Sequence, residues 1–99
     1  MIVVRNSFRL KFGKAKDAVA AIKEAVAAQK RAGSTFSTRI LTDMTGTFYT
    51  LVLELTVPSL AALEADMPRN MSHPDFQAAY QKFVPLVESG TREIFTIVE

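Results

Sequence analysis

The chain has no cysteine, no tryptophan and a single histidine among its 99 residues. The first absence removes disulfides, thiolate nucleophiles and thiolate metal ligands together, and with them a small secreted scaffold built on disulfides. One histidine among scattered carboxylates is a poor metal set, and no glycine-rich phosphate loop occurs. No metal or organic cofactor is therefore expected. Long apolar runs are also missing, so no segment reads as a membrane-spanning helix. Neither sign of charge dominates: 12 basic and 10 acidic residues are spread along the chain and leave a net +2. So small a surplus is no phosphate-binding surface, and a nucleic-acid partner is not expected. The basic pair Lys30-Arg31 falls where a helix should end, and cations there complement the negative end of the helix dipole.

What is present is apolar material, at 48% of residues. That is too much for a disordered chain and, at this length, enough for one core, so residues 1–99 are expected to form one domain. The first residues, Met1-Ile2-Val3-Val4-Arg5, carry neither the basic segment nor the cleavage site of a secretory signal, which makes the cytoplasm the expected location.

Periodicity divides the chain. From residue 2 to 12 alternate positions place Ile2, Val4, Phe8, Leu10 and Phe12 on one side and Arg5, Ser7, Arg9 and Lys11 on the other, the pattern of a half-buried strand. Gly13 breaks it. Residues 14 to 32 then set Ala15, Ala18, Val19, Ile22, Ala25, Val26 and Gln29 along one helical stripe, with Gly33 suited to end the helix. Two β-branched and aromatic stretches come next, Ser34 to Thr42 and Thr47 to Val57. The second puts Tyr49, Leu51, Leu53, Leu55 and Val57 on one face, and Asp43-Met44-Thr45-Gly46 supplies the turn between the two. Pro58-Ser59 opens another helix, with Ser59 as its cap and Leu60, Leu63 and Met67 at core spacing; Pro68 is expected to stop it. Ser72-His73-Pro74-Asp75 reads as a fresh helix start, leading into Phe76, Ala79, Tyr80 and Phe83. Pro85 and Gly90 act as breakers before a last strand from Thr91 to Val98.

The order is βαββαβ. Right-handed crossovers then put both helical segments on one face of a four-stranded antiparallel sheet, a ferredoxin-like α+β fold. The other face is left bare. It should carry Val3, Arg5, Ser7 and Arg9 from the first strand and Phe48, Thr50, Val52 and Glu54 from the third. Arg5 or Arg9 can pair with Glu54, while Phe48 and Val52 belong to an apolar area best covered by a second copy of the sheet. A homodimer through this face is the expected partner arrangement.

The whole plan resembles the dimeric α+β barrel superfamily. The segment SHPDFQAAYQKFVPLVESGTREIFTIVE is similar to the closing helix and strand of its antibiotic biosynthesis monooxygenase-like and NIPSNAP-like groups. The resemblance implies two ferredoxin-like protomers packed sheet to sheet. Its groups include cofactor-free oxygenases of polycyclic phenols or quinols, haem-degrading enzymes and proteins of unassigned role. The haem-degrading group has an asparagine on its first strand, as Asn6 stands here. It also has a tryptophan and a proximal histidine further on, whereas this chain has no tryptophan and has Tyr80 where the histidine would fall.

Three residues stand out as candidates for chemistry. Asn6 interrupts the apolar row of the first strand and should point toward the helices. There it either satisfies itself on backbone or water, or donates to a carbonyl or phenolate oxygen in a cavity. His73 either caps a helix or serves as a general base over the cavity mouth. Tyr80 shares the apolar stripe with Phe76 and Phe83; it either serves core packing alone or has its ring in the core and its hydroxyl reaching a cavity or the surface. Tyr49 and Arg92 are secondary candidates because the facing of their strands is open. Two functions are compatible with these residues: a cofactor-independent monooxygenase-like enzyme acting on an apolar phenol or quinol, or a noncatalytic dimeric module for a small ligand or a protein.

Overall fold

A computed structural model describes residues 1–99. The elements run β1 (Ile2–Leu10), α1 (Ala15–Arg31), β2 (Ser37–Thr42), β3 (Thr50–Val57), α2 (Leu60–Met71), α3 (Pro74–Phe83), a 3-10 turn (Val84–Leu86) and β4 (Val87–Thr96). The four strands form one antiparallel sheet in the order β2-β3-β1-β4, the ferredoxin-like arrangement. The molecule is only 17 Å deep in its shortest dimension, one sheet and one helical layer.

Alternation in β1 is realised as expected, with Val4, Asn6 and Leu10 buried toward the helices. The apolar row ends sooner than the pattern indicated. Phe12 lies past the end of β1, 67% exposed, and rests against Tyr49 with ring centroids 4.8 Å apart. The helical stripe of α1 is turned slightly from the expected one, toward Ala18, Ala21, Ile22, Ala25 and Ala28. So many alanines let the helix lie close to the sheet but fill little space.

Two breakers and one strand residue behave differently from expectation. Pro68 does not end α2 but lies inside it, and the last turn continues through Ser72 N–H donating to the Pro68 carbonyl at 3.1 Å. Proline removes one intrahelical donor, but its own carbonyl still accepts, so a short helix survives it. The second crossover holds two consecutive helices, in keeping with the helix starts read at Ser59 and His73, where the order βαββαβ counts a single α. Gly90 lies within β4, paired with Phe8 across the sheet. A Cβ built there would stand 3.1 Å from Phe8 Cδ1 and 3.3 Å from the Ser7 carbonyl oxygen, so this glycine permits close strand approach. Phe48 leaves the sheet for the turn before β3 and is 69% exposed. In the same turn Tyr49 takes the left-handed conformation with φ of +58°. Its carbonyl accepts from Leu10 N–H at 2.8 Å, which ties the turn to β1.

The apolar interior is in two parts. A larger cluster joins α1, α3, β1 and β3 around Phe83, Leu10 and Leu51. A smaller one, Val4, Val57 and Leu63, with Phe36, Leu55 and Met67 against it, fastens α2 to the sheet.

Candidate functional site

The space between the two apolar clusters is a cavity of about 410 Å³, bounded by the sheet below and the three helices above. That volume is in the range of ordinary small-molecule sites, roughly 300–1,000 Å³. It exists because the residues that could fill it are small or polar. On α1 the wall is Ile22, Ala25, Val26 and Gln29, while on β1 and α2 the inward positions that would complete a core hold Asn6 and Asn70. Tyr80 and Met71 also line it, 40% and 47% exposed, and so mark its mouth.

Asn6 is the polar centre of the floor. It is 8% exposed, and its Oδ1 accepts from Arg92 Nε at 2.7 Å. The bond follows from register, since Asn6 on β1 stands directly opposite Arg92 on β4 and both point to the helical side. Arginine has no acceptor, so the contact fixes the amide with its oxygen toward Arg92 and its Nδ2 turned away. No protein group accepts from that Nδ2, and it is not sealed from solvent. It therefore faces the cavity as a free donor. Asn70, 5% exposed, has its Oδ1 shut into the wall without a donor.

Tyr80 stacks on Phe76, centroids 5.7 Å apart and planes 15° from parallel, and lies tilted against Phe83 at 6.4 Å. Its ring is held by aromatic neighbours at the cavity edge. His73 is placed elsewhere. It is the N-cap of α3, half-buried, with Nδ1 accepting from Asp75 N–H at 3.2 Å, and it does not line the cavity. Of the candidate residues, then, the structure brings Asn6 and Tyr80 to one cavity, adds Arg92, and leaves His73 and Tyr49 outside it.

Sequence reasoning missed Asn70 and the pairing of Arg92. A signal existed for the arginine: Ile94 faces the helical side opposite Val4, and alternation carries that facing back to residue 92. No such signal existed for Asn70, because ending the helix at Pro68 took it out of the layer.

Charge is divided between the two faces of the sheet. Arg92 is the one ionic side chain lining the cavity. On the opposite face Glu54 is 4% exposed between Arg39, which hydrogen-bonds its Oε1, and Arg5, whose Nη2 lies 3.1 Å from Oε2. The Arg39 hydrogen bond, helped by Arg5, holds the Glu54 carboxyl below its ordinary pKa, against the opposing effect of burial.

No family profile and no curated protein matches the chain. Solved structures do. An uncharacterised NIPSNAP domain protein from Burkholderia xenovorans superposes with a TM-score of 0.86 at 19% identity, over 99% of this chain and 95% of that one. A NIPSNAP family protein from Agrobacterium tumefaciens gives 0.87 at 17% identity, over 99% and 93%. An antibiotic biosynthesis monooxygenase gives 0.76 at 15% identity, with both chains covered completely. The fold is the ferredoxin-like α+β fold of these proteins. At such identities the ferredoxin-like likeness extends to the backbone and its topology, and the chemistry has to be argued from the cavity. No helix of this ferredoxin-like chain is long and apolar enough to cross a membrane.

Proposed function

We propose that the chain is a cytoplasmic, dimeric, cofactor-independent oxygenase-like enzyme that holds a small apolar phenol or quinol in the cavity between sheet and helices. The observation that carries this reading is the convergence of a buried amide donor, Asn6 Nδ2, and a tyrosine on one apolar cavity. Asn6 orients and polarises the substrate oxygen, and Tyr80 at the mouth relays its proton. The apolar walls favour a flat hydrocarbon body, and an electron-rich ring supplies the electrons that reduce dioxygen. Haem degradation fits these residues poorly, because no histidine lines the cavity to ligate an iron.

Oxygen uptake with a panel of hydroquinols tests the proposal. Uptake by the parent should fall about 10²-fold or more in Asn6→Ala, the usual cost of an oxyanion donor. Tyr80→Phe should lower it about 10²–10⁴-fold, the range of general acid–base assistance. His73→Ala should leave it unchanged apart from stability. Absence of uptake with every member, together with saturable binding, would establish the second reading, a noncatalytic ligand-binding module. That reading is favoured by the scarcity of proton-transfer groups in the lining, where Tyr80 stands without a histidine or carboxylate beside it.

A further inference from the structure

We infer that the cavity selects its occupant by charge and takes an apolar carboxylate, recognised by Arg92 with Asn6 as the second donor. The inference rests on the cavity being a ligand site, and it reassigns the Asn6 donor from a phenolic oxygen to a carboxylate. The five ion pairs of the chain engage Arg5, Arg31, Arg39, Arg69 and Lys82, and none includes Arg92. No aspartate or glutamate lines the cavity, so the guanidinium has no counter-charge there. One of its five N–H groups is spent on Asn6 Oδ1 at 2.7 Å. The remaining N–H groups and Asn6 Nδ2 give this end of the cavity a group of unspent donors, and neither the guanidinium nor that amide nitrogen can accept.

A set of donors around a permanent cation is complementary to an oxyanion. Apolar walls strengthen that attraction by lowering the local dielectric, although the outward part of Arg92 remains in water and screens some of it. Among oxyanions a carboxylate matches the planar fork of the guanidinium and is ionised at neutral pH at no cost, whereas a phenol must first lose a proton. Asn6 has a double part. It contacts the ligand through Nδ2, and through Oδ1 it holds Arg92 against the sheet.

Calorimetric titration with 2-naphthoate, its neutral isostere 2-naphthamide and 2-naphthol at neutral pH tests the assignment. The parent should bind the carboxylate about tenfold or more tightly than the amide, a gap equivalent to ~1.4 kcal/mol. Added salt should weaken the carboxylate alone. Arg92→Met should abolish the gap, Arg92→Lys should keep part of it, and Asn6→Leu should narrow it. Arg92 lies on an exposed edge strand, so the Arg92 variants should fold, and circular dichroism will verify this for them and for Asn6→Leu on the inner strand β1. Equal binding of amide and carboxylate by the parent, or a gap that survives Arg92→Met, overturns the charge selection and leaves the cavity reading standing. Naphthol bound as its anion, seen by absorbance, and more tightly than naphthoate overturns the carboxylate assignment. Failure of all three probes and of every hydroquinol to bind removes the cavity reading itself.

Discussion

Gly90 shows how much one missing side chain can hold in place. Gly90→Ala should destabilise the fold by about 1–3 kcal/mol in urea unfolding, the usual cost of overpacking. The added methyl meets Phe8, whose ring stands edge-on to Phe83 at 5.0 Å and 85°, so the displacement reaches the larger apolar cluster. This role was hidden in the sequence, where an isolated glycine reads as a break. Asn6 was legible for the opposite reason: a polar residue inside an apolar alternation has to face inward or distort the strand. Arg92 was only half legible, since alternation from Ile94 reaches residue 92 but Ile94, Phe95, Ile97 and Val98 do not alternate and so left the facing of the last strand open. His73 illustrates a residue whose type suggests chemistry and whose position before Pro74 suggests a cap. The structure places it at the cap.

At the scale of elements, the period changes located the first three strands and the start of every helix, because those depend on local pattern and turn chemistry, while the last strand begins at Val87 rather than at the expected Thr91. Ser59 caps α2 as its sequence position indicates, with Oγ accepting from Ala62 N–H at 3.1 Å. The end of α2 was illegible because proline's cost is local, while the persistence of this helix depends on the bonds made by the residues after the proline. The final turn is closed by Ser72 N–H to the Pro68 carbonyl and by Ser72 Oγ donating to the Arg69 carbonyl at 3.0 Å. Pro68→Ala restores the missing donor and should raise stability, by up to about 3 kcal/mol if the proline bears its full interior cost. A thermal melt checks this, and a lower midpoint would show that the proline bends α2 into a shape the fold needs.

At the scale of the molecule, one sheet face meets the helices and the other is free. The free face carries the Glu54–Arg5–Arg39 group, Val3 and Val52, and two side chains left substantially exposed, Leu41 at 39% and Phe95 at 43%. Arg5 lies over the Phe95 ring at 5.3 Å, so charge and apolar surface are interleaved rather than separated. A second copy placed on this face would bury both kinds of group, which underlies the proposed dimer. Sedimentation at micromolar concentration should give twice the 10.9 kDa chain mass. Because the folded Glu54 pKa lies below its ordinary 4.5, its pairing is complete above that pH and is lost as pH falls through the folded value. The fold should therefore keep this contribution to stability above about pH 5 and lose it as acid takes the pH through the folded value, a trend in urea unfolding that Glu54→Gln should flatten. A chain of monomer mass at neutral pH would remove the dimer proposal. The existence of two faces was readable from alternation alone. The arginine clasp on Glu54 was half readable, because Arg5 was expected opposite it and Arg39 came from a strand whose register only the fold supplies.

The division of the apolar interior by the cavity makes a seam along which the molecule can part. Val4, Val57 and Leu63 alone form the buried patch that joins α2 to the sheet, while α1 and α3 share the larger cluster. Opening the seam parts the smaller of the two apolar clusters, so α2 should detach at a lower free energy than global unfolding. A molecule lodged across the seam acts as the missing piece of core, and the tighter it binds, the more nearly the two parts unfold as one.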